Sequence, residues 1–176
     1  MIKYKEDIKK AVEAGVFFLL ICGSYQLFGK YYKGVEGNVI PGLEVFDYYT
    51  EAIADRSKRC IGNIVIQTVI GDLETKVIGF ENHGGQTFDV DGAFGNVLYG
   101  NGNKFGDLNE GFMKKNVIAT YLHGPLLSKN PELADYIIKY ALKRKYDEDV
   151  ELIALDDEFE EKCREQLIKR FLENDN

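Results

Sequence analysis

The chain lacks any apolar run near the roughly 20 residues that are needed to cross a bilayer. Its longest run, residues 16–21, has the length of one buried strand. No apolar signal region follows the charged residues at the start of the chain. We therefore expect a cytoplasmic protein that does not insert into a membrane.

Basic residues are in the minority. The chain has 22 lysines and arginines against 29 acidic residues, which gives a net charge of −7. Nucleic acids and anionic membranes attract basic surfaces. This charge balance therefore argues against both as main partners.

Metal-binding and nucleotide-binding motifs are missing as well. The three cysteines, at positions 22, 60 and 163, are odd in number and lack the spacing of a zinc site or a disulfide framework. No phosphate-binding loop occurs in the sequence. We expect no metal and no cofactor in this chain, so that any ATP and Mg²⁺ chemistry would belong to a partner.

Glycine, by contrast, is abundant, with 18 residues that fall mostly between Gly23 and Gly124. This stretch should contain many tight turns and be rich in strands. The length fits one domain over residues 1–176. The predicted strands cover residues 16–21 (a central strand), 61–69, 77–80, 96–99 and 117–122, and the predicted helices cover residues 8–14, 25–32, 130–145 and 156 onward.

The last predicted helix carries apolar side chains at four-residue spacing. These are Phe159, Cys163, Leu167 and Phe171. Such a stripe predicts that one face of the helix packs on the core.

The most informative cysteine is Cys22, which lies between the strand at residues 16–21 and the small residues Gly23 and Ser24. A residue on a tight turn between a buried strand and a helix projects outward, as the nucleophiles of hydrolases do. The helix start would favour the thiolate, and the Gly23 N–H would point to where an oxyanion forms. Cys22 is a candidate nucleophile, and the alternative is a buried cysteine that only packs.

His123 is one of two histidines and follows the predicted strand at residues 117–122. Catalytic groups of open α/β sheets gather at the carboxyl ends of strands. A cysteine and a histidine from two strand ends can form an activated thiol. The alternative is a loop histidine without a role.

Three separated segments resemble class I (triad-type) glutamine amidotransferases. Residues 20–26 (LICGSYQ) are similar to the nucleophile motif of that class. Residues 81–87 (ENHGGQT) and 120–125 (TYLHGP) resemble the cobyric acid synthase-like branch, which also includes the glutaminase subunits of lipid II isoglutaminyl synthases. The resemblance implies an α/β fold, a flavodoxin-like sheet with helices on both faces.

The resemblance also implies roles for the matching residues. Cys22 would attack the carboxamide of glutamine, and His123 would move the protons. Gln26 would contact the substrate, and Arg59 would hold its carboxylate unless it is only a surface arginine. His83 lies in a motif of the family and would order the loop near the site.

A partner is implied too. Class I enzymes usually carry a glutamate two residues after the catalytic histidine, where this chain has Pro125. In the branch that the chain resembles, a carboxylate from a Mur-ligase-like synthase subunit is thought to complete the site. The chain would then release ammonia for a synthase that amidates D-glutamate of lipid II in peptidoglycan synthesis, and it would be weakly active alone.

The chain begins late relative to this class. Only 21 residues precede Cys22, and they contain no glycine-rich loop that could supply a second oxyanion donor. We therefore expect a glutaminase sheet that lacks its N-terminal strands. Two alternatives stay open: a fragment of a cobyric acid synthase-type glutaminase, and a non-catalytic module that docks through an exposed sheet edge.

Overall fold

A computed structural model describes residues 2–173. No helix in this range is long and apolar enough to cross a bilayer. The helices are α1 (Lys5–Glu13), α2 (Gly23–Phe28), α3 (Pro131–Tyr146) and α4 (Glu158–Glu173), with short 3-10 turns at Ile2–Tyr4 and Arg56–Lys58. The strands are β1 (Phe18–Ile21), β2 (Tyr31–Lys33), β3 (Val39–Pro41), β4 (Tyr49–Ala52), β5 (Cys60–Ile70), β6 (Leu73–His83), β7 (Gly85–Phe88), β8 (Gly95–Tyr99), β9 (Asn109–Glu110), β10 (Phe112–Lys114) and β11 (Val117–Thr120).

The sheet that positions the candidate site has the strand order β1-β11-β10. Strands β1 and β11 are parallel, with Ile21 opposite Thr120 at their carboxyl ends. The apolar run at residues 16–21 thus forms a strand, as predicted. Its predicted central place is wrong, because among residues 2–173 β1 is an edge strand that pairs only with β11.

Helices cover both faces of this sheet, as the resemblance implied. On one face Leu20 packs in a cluster with Tyr25 and Phe28 of α2, against which α1 also packs. On the other face Leu19 and Ile21 pack against a cluster that contains Leu133 of α3. The fold is therefore mixed α/β, and alternate side chains of β1 enter different clusters because successive residues of a strand point to opposite faces.

A long antiparallel hairpin forms the second feature of the fold. Strands β5 and β6 pair over their full lengths, from Ile70 opposite Leu73 to Cys60 opposite His83. The turn between them contains Gly71 at φ +63°, a backbone conformation that glycine adopts without steric cost. The hairpin confirms the two predicted strands and extends both of them. It belongs to a sheet of order β6-β5-β8-β9, while β3-β2-β4-β7 form a third sheet.

Helix α3 begins at Pro131, one residue after the predicted start at residue 130, and the Asn130 side chain does not cap it. This side chain makes no hydrogen bond to the helix start. Instead Oδ1 accepts from the N–H of Ile78 at 2.9 Å, and Nδ2 donates to the Ile78 carbonyl at 2.8 Å. The buried Asn130 amide thus ties the helix start to β6.

Helix α4 packs through only part of the predicted stripe. The ring of Phe171 stacks on Tyr99 with centroids 5.3 Å apart, and Arg164 bonds to Glu132. Phe159 is 75% exposed and Cys163 is exposed as well. The expectation that all four side chains pack on the core is therefore wrong for the first turn and a half.

Candidate active site

Cys22 lies in the sharp turn between β1 and α2. Its backbone has φ 53° and ψ −105°, a region that non-glycine residues rarely occupy. The N–H of Cys22 donates to the Thr120 carbonyl at 2.9 Å, which extends the β1–β11 pairing by one residue before the chain turns. Apart from the neighbouring residues and the backbone of α2, no atom lies within 4 Å of the place where a Cβ of Gly23 would stand, so the space beside the turn is open.

The electrostatic setting of Cys22 differs from the expectation. Partial burial raises the pKa of the Cys22 thiol, and a hydrogen bond from the Gly23 N–H only partly opposes this effect. Burial therefore opposes the predicted preference for thiolate at the resting site, because desolvation disfavours the charged form by more than the Gly23 N–H favours it. A nucleophile at this position needs a base.

His123 lies at the same edge of the sheet as Cys22. Both residues follow the carboxyl ends of the paired strands β1 and β11. The N–H of His123 donates to the Phe80 carbonyl at 2.8 Å, which fixes the backbone beside β6. Its Nε2 atom is buried and has no hydrogen-bond partner among residues 2–173. No carboxylate in this range therefore orients that nitrogen, in keeping with Pro125 at the usual glutamate position.

Gln26 and Arg59 converge on the turn that follows β6. A Cβ added at Gly85 would stand 2.7 Å from Gln26 Nε2, and one added at Gly84 would stand 3.0 Å from Arg59 Nη1. The glycines thus allow both side chains to approach the backbone closely. Gln26 also donates to Tyr121 Oη at 3.2 Å, while the exposed Arg59 donates to Asn82 Oδ1 at 3.1 Å.

A cavity of about 310 Å³ adjoins this region. Gly23 and Gln26, two of the residues predicted to contact substrate, line it together with apolar side chains such as Tyr32 and Ile40. A larger cavity of about 530 Å³ is lined by Gly15 and Asn116, which precede β1 and β11. Since Cys22 follows β1, the smaller of these two cavities lies at the carboxyl end of the strands, where catalytic groups of such sheets gather.

His83 lies beneath this region and is 3% exposed. Its ring stacks on Tyr121 with centroids 3.6 Å apart, and Nδ1 contacts the Gly85 carbonyl at 2.7 Å. Burial lowers the pKa of His83 to about 4, so the ring is neutral near pH 7. This geometry suits a residue that positions its neighbours.

Glu110 is a further polar residue of this region, and it is fully buried. Its carboxyl group accepts from Thr120 Oγ1 at 2.9 Å and from the Tyr121 N–H at 2.7 Å, directly below the end of β11. Burial raises the pKa of Glu110 to about 8. No sequence pattern pointed to this residue, because it lies in a polar, glycine-rich stretch and only the β8–β9 pairing carries it inward.

The raised pKa of Glu110 predicts that the folding stability of the protein depends on pH. Its pKa rises from an ordinary 4.5 to about 8 in the folded protein. Between these values the folded state holds a proton that the unfolded chain has released, so Glu110 makes the free energy of unfolding fall as pH rises, by up to about 1.4 kcal/mol per pH unit. His83, whose pKa falls from 6.5 to about 4 on folding, contributes the opposite slope between those values, so the decline is expected chiefly above pH 6.5. Glu110→Gln should flatten this decline, since its amide can make similar hydrogen bonds without a charge.

Urea denaturation of both proteins between pH 4.5 and pH 8 measures this effect. Glu36→Gln, at an exposed loop position, is the matched control and should keep the wild-type slope. Equal slopes for the wild type and Glu110→Gln would contradict the prediction.

Comparison with known proteins decides the family. Residues 2–131 match the CobB/CobQ-like glutamine amidotransferase domain. The chain belongs to this family. One relative is GatD from Staphylococcus aureus strain N315, a subunit of lipid II isoglutaminyl synthase (glutamine-hydrolyzing), which is 43% identical over 143 residues. The subunit of the same name from Streptococcus pneumoniae strain ATCC BAA-255 / R6 is 40% identical over 164 residues.

The matched stretches cover 81% and 92% of this chain but 56% and 62% of those two proteins. This chain therefore spans less than two thirds of the length of either GatD relative. A probable cobyric acid synthase from Methanococcus vannielii is more distant, with 33% identity over 156 residues, 82% of this chain and 30% of that protein.

Proposed function

We propose that this chain supplies the glutaminase half of a two-subunit amidotransferase. The observation that carries the proposal is the place of Cys22, in a sharp turn beside the strand that leads to His123. Membership of the glutamine amidotransferase family supports glutamine as the substrate. The names of the GatD relatives, each a glutamine-hydrolyzing subunit, support a partner synthase.

In the proposed reaction Cys22 Sγ gives its proton to His123 and attacks the carboxamide carbon of glutamine. The negative charge on the carbonyl oxygen is stabilised by the Gly23 N–H. As the C–N bond breaks, His123 returns the proton to the leaving nitrogen, and ammonia departs from a glutamyl thioester. Water, deprotonated by His123, then breaks the thioester and restores the thiol, giving glutamate.

The surrounding residues serve binding in this proposal. Arg59 holds the α-carboxylate of glutamine through its forked guanidinium, and Gln26 contacts the substrate from the wall of the 310 Å³ cavity. His83 supports the turn that these two side chains approach. The raised pKa of Cys22 makes the resting thiol poorly reactive, so the reaction depends on His123.

We propose a Mur-ligase-like synthase subunit (MurT-like) as the partner, with ATP and Mg²⁺ bound there. The synthase would activate the D-glutamate carboxylate of lipid II, and ammonia from this chain would convert it to D-isoglutamine. A carboxylate of the synthase would complete the site, since Pro125 stands where class I enzymes usually carry a glutamate. Amidation of a corrinoid is less well supported, because identity to the cobyric acid synthases is 33% or lower.

The test uses glutamine labelled with ¹⁵N in the side-chain amide, this chain, and the Mur-ligase-like protein from the same organism. We expect glutamate release to be slow with the chain alone and faster with the synthase, and we expect ¹⁵N in amidated lipid II by mass spectrometry. Cys163→Ala, at an exposed position of α4, should behave as the wild type. Docking without glutamate release would instead indicate the non-catalytic module.

A further inference from the structure

A second group of reactive side chains lies inside the protein, beside the candidate active site. Cys60 and His83 are direct cross-strand partners in the β5–β6 hairpin, and Glu81 lies two residues before His83 on the same face. All three residues are buried. One ligand atom from each side chain lies within 4.8 Å of the other two.

The orientation of His83 leaves one ring nitrogen available. Nδ1 contacts the Gly85 carbonyl at 2.7 Å and must donate to it, because a carbonyl oxygen only accepts. The lone pair of the neutral ring is then on Nε2, which is buried. The backbone of Gly102 lies near the ring, but Nε2 has no partner at hydrogen-bond geometry among residues 2–173. Nε2 faces Glu81 Oε2 at 3.9 Å.

Glu81 and Cys60 are held in place from outside the cluster. Glu81 Oε1 accepts two hydrogen bonds from Asn101, and Oε2 accepts one from the Gly102 N–H at 3.1 Å. Gln86 Nε2 lies 3.9 Å from Cys60 Sγ and can donate to it. A nitrogen lone pair, a carboxylate oxygen and a sulfur thus face one another, an arrangement that a shared cation would satisfy.

We propose that Cys60, Glu81 and His83 form a binding site for a zinc ion. Zinc accepts sulfur, nitrogen and oxygen ligands together, with tetrahedral geometry. A thiolate and a carboxylate balance its two positive charges, so that the buried cluster is neutral. Bond lengths of about 2.0–2.3 Å place tetrahedral ligands roughly 3.3–3.8 Å apart, so atoms that now lie within 4.8 Å of one another need to close by at most about 1.5 Å.

The partners outside the cluster match those of metal ligands in proteins. A histidine that binds a metal commonly donates its other N–H to a backbone carbonyl, as His83 does to Gly85. The ion would join the end of β5 to the end of β6, next to Arg59 and the Gly84-Gly85 turn. We expect it to stiffen the wall of the candidate active site without taking part in the chemistry.

Cobalt binding tests this site, because a thiolate bound to Co²⁺ gives a charge-transfer absorption band. The starting protein is the metal-free double variant Cys22→Ala/Cys163→Ala, in which Cys60 is the one remaining thiol. We expect the band to saturate at one Co²⁺ per chain and to disappear when Zn²⁺ is added. Each of the variants Cys60→Ser and His83→Gln removes a ligand and should abolish the band or weaken Co²⁺ binding by more than about 100-fold. Loss of a residue that only hydrogen-bonds to a ligand costs up to about 100-fold in metal affinity, and loss of a ligand should cost more.

Two results would overturn the proposal. One is a double variant with native circular dichroism that gives no band; the other is a band of unchanged strength and affinity in His83→Gln. If the double variant does not fold, wild-type protein with Cys22 and Cys163 alkylated in the native state serves instead. Glutamate release by the wild type is measured separately, so failure of the zinc site leaves the glutaminase proposal intact.

Discussion

Replacing Cys22 by alanine is expected to reduce glutamate release, measured with the synthase present, by about 10⁴-fold or more, the scale seen when a catalytic nucleophile is removed. The same change should abolish covalent labelling by a diazo-ketone analogue of glutamine. The reason is that the proposed thioester forms on Cys22 Sγ, and neither of the other two thiols lies where it could attack the substrate instead. Cys60 is buried, and Cys163 lies on α4 outside the β1–α2 turn.

Mass spectrometry of tryptic peptides locates the label. We expect a mass increase on the Cys22 peptide in the wild type and in Cys163→Ala, and none in Cys22→Ala. Labelling of Cys60 or Cys163 at a comparable rate would contradict a dedicated site, and glutamate release that survives Cys22→Ala would remove the proposed nucleophile altogether.

The backbone at Cys22 offers a second measurement that activity alone does not give. At φ 53° and ψ −105° a side chain is strained, whereas glycine is not. Cys22→Gly should therefore be inactive yet more stable than Cys22→Ala, by roughly 1–2 kcal/mol. Equal stability of the two variants would mean that the backbone at residue 22 is not strained. The Cys22 turn would then differ from the strained turns that carry the nucleophiles of hydrolases.

Local patterns were sufficient to predict the parts of the fold that hold Cys22 and His123. A continuous apolar run before small residues predicts a strand followed by a tight turn, and β1 and α2 form in that order. The mostly apolar segment at residues 117–122 likewise predicts β11 before His123. When two parallel strands pair, the residues just beyond their carboxyl ends lie at the same edge of the sheet. Two local predictions therefore gave the approximate place of both residues.

Long-range pairing could not be predicted in the same way. The edge position of β1 depends on which strands pair with it, and the apolar run carries no information on that. The cluster of Cys60, Glu81 and His83 exists because the hairpin register sets residue 60 opposite residue 83. A register shifted by one residue would turn these side chains to opposite faces, so the sequence spacing gave no sign of a metal site.

Substitution of His123 by alanine is expected to give the second large effect on the glutaminase reaction. Loss of a general base typically lowers the rate by about 10²–10⁴-fold. Here the loss should lie in the upper part of that range near pH 7, because burial raises the pKa of the Cys22 thiol and little thiolate forms without a base. The rate of labelling by a chloro-ketone analogue of glutamine is the most direct measure, since sulfur displaces chloride and no proton has to be delivered to the reacting carbon.

The pH profile distinguishes loss of the base from damage to the fold. Without His123 the reaction depends on spontaneous ionisation of Cys22, so labelling should rise about tenfold per pH unit in alkaline solution and approach the wild-type rate. Added imidazole, which can occupy the space left by the ring, should partly restore the rate at pH 7. Ser128→Ala, at an exposed position beyond β11, is the control and should keep the wild-type profile. If His123→Ala labels as fast as the wild type at pH 7, or loses the same factor at every pH, the imidazole does not act on the Cys22 proton.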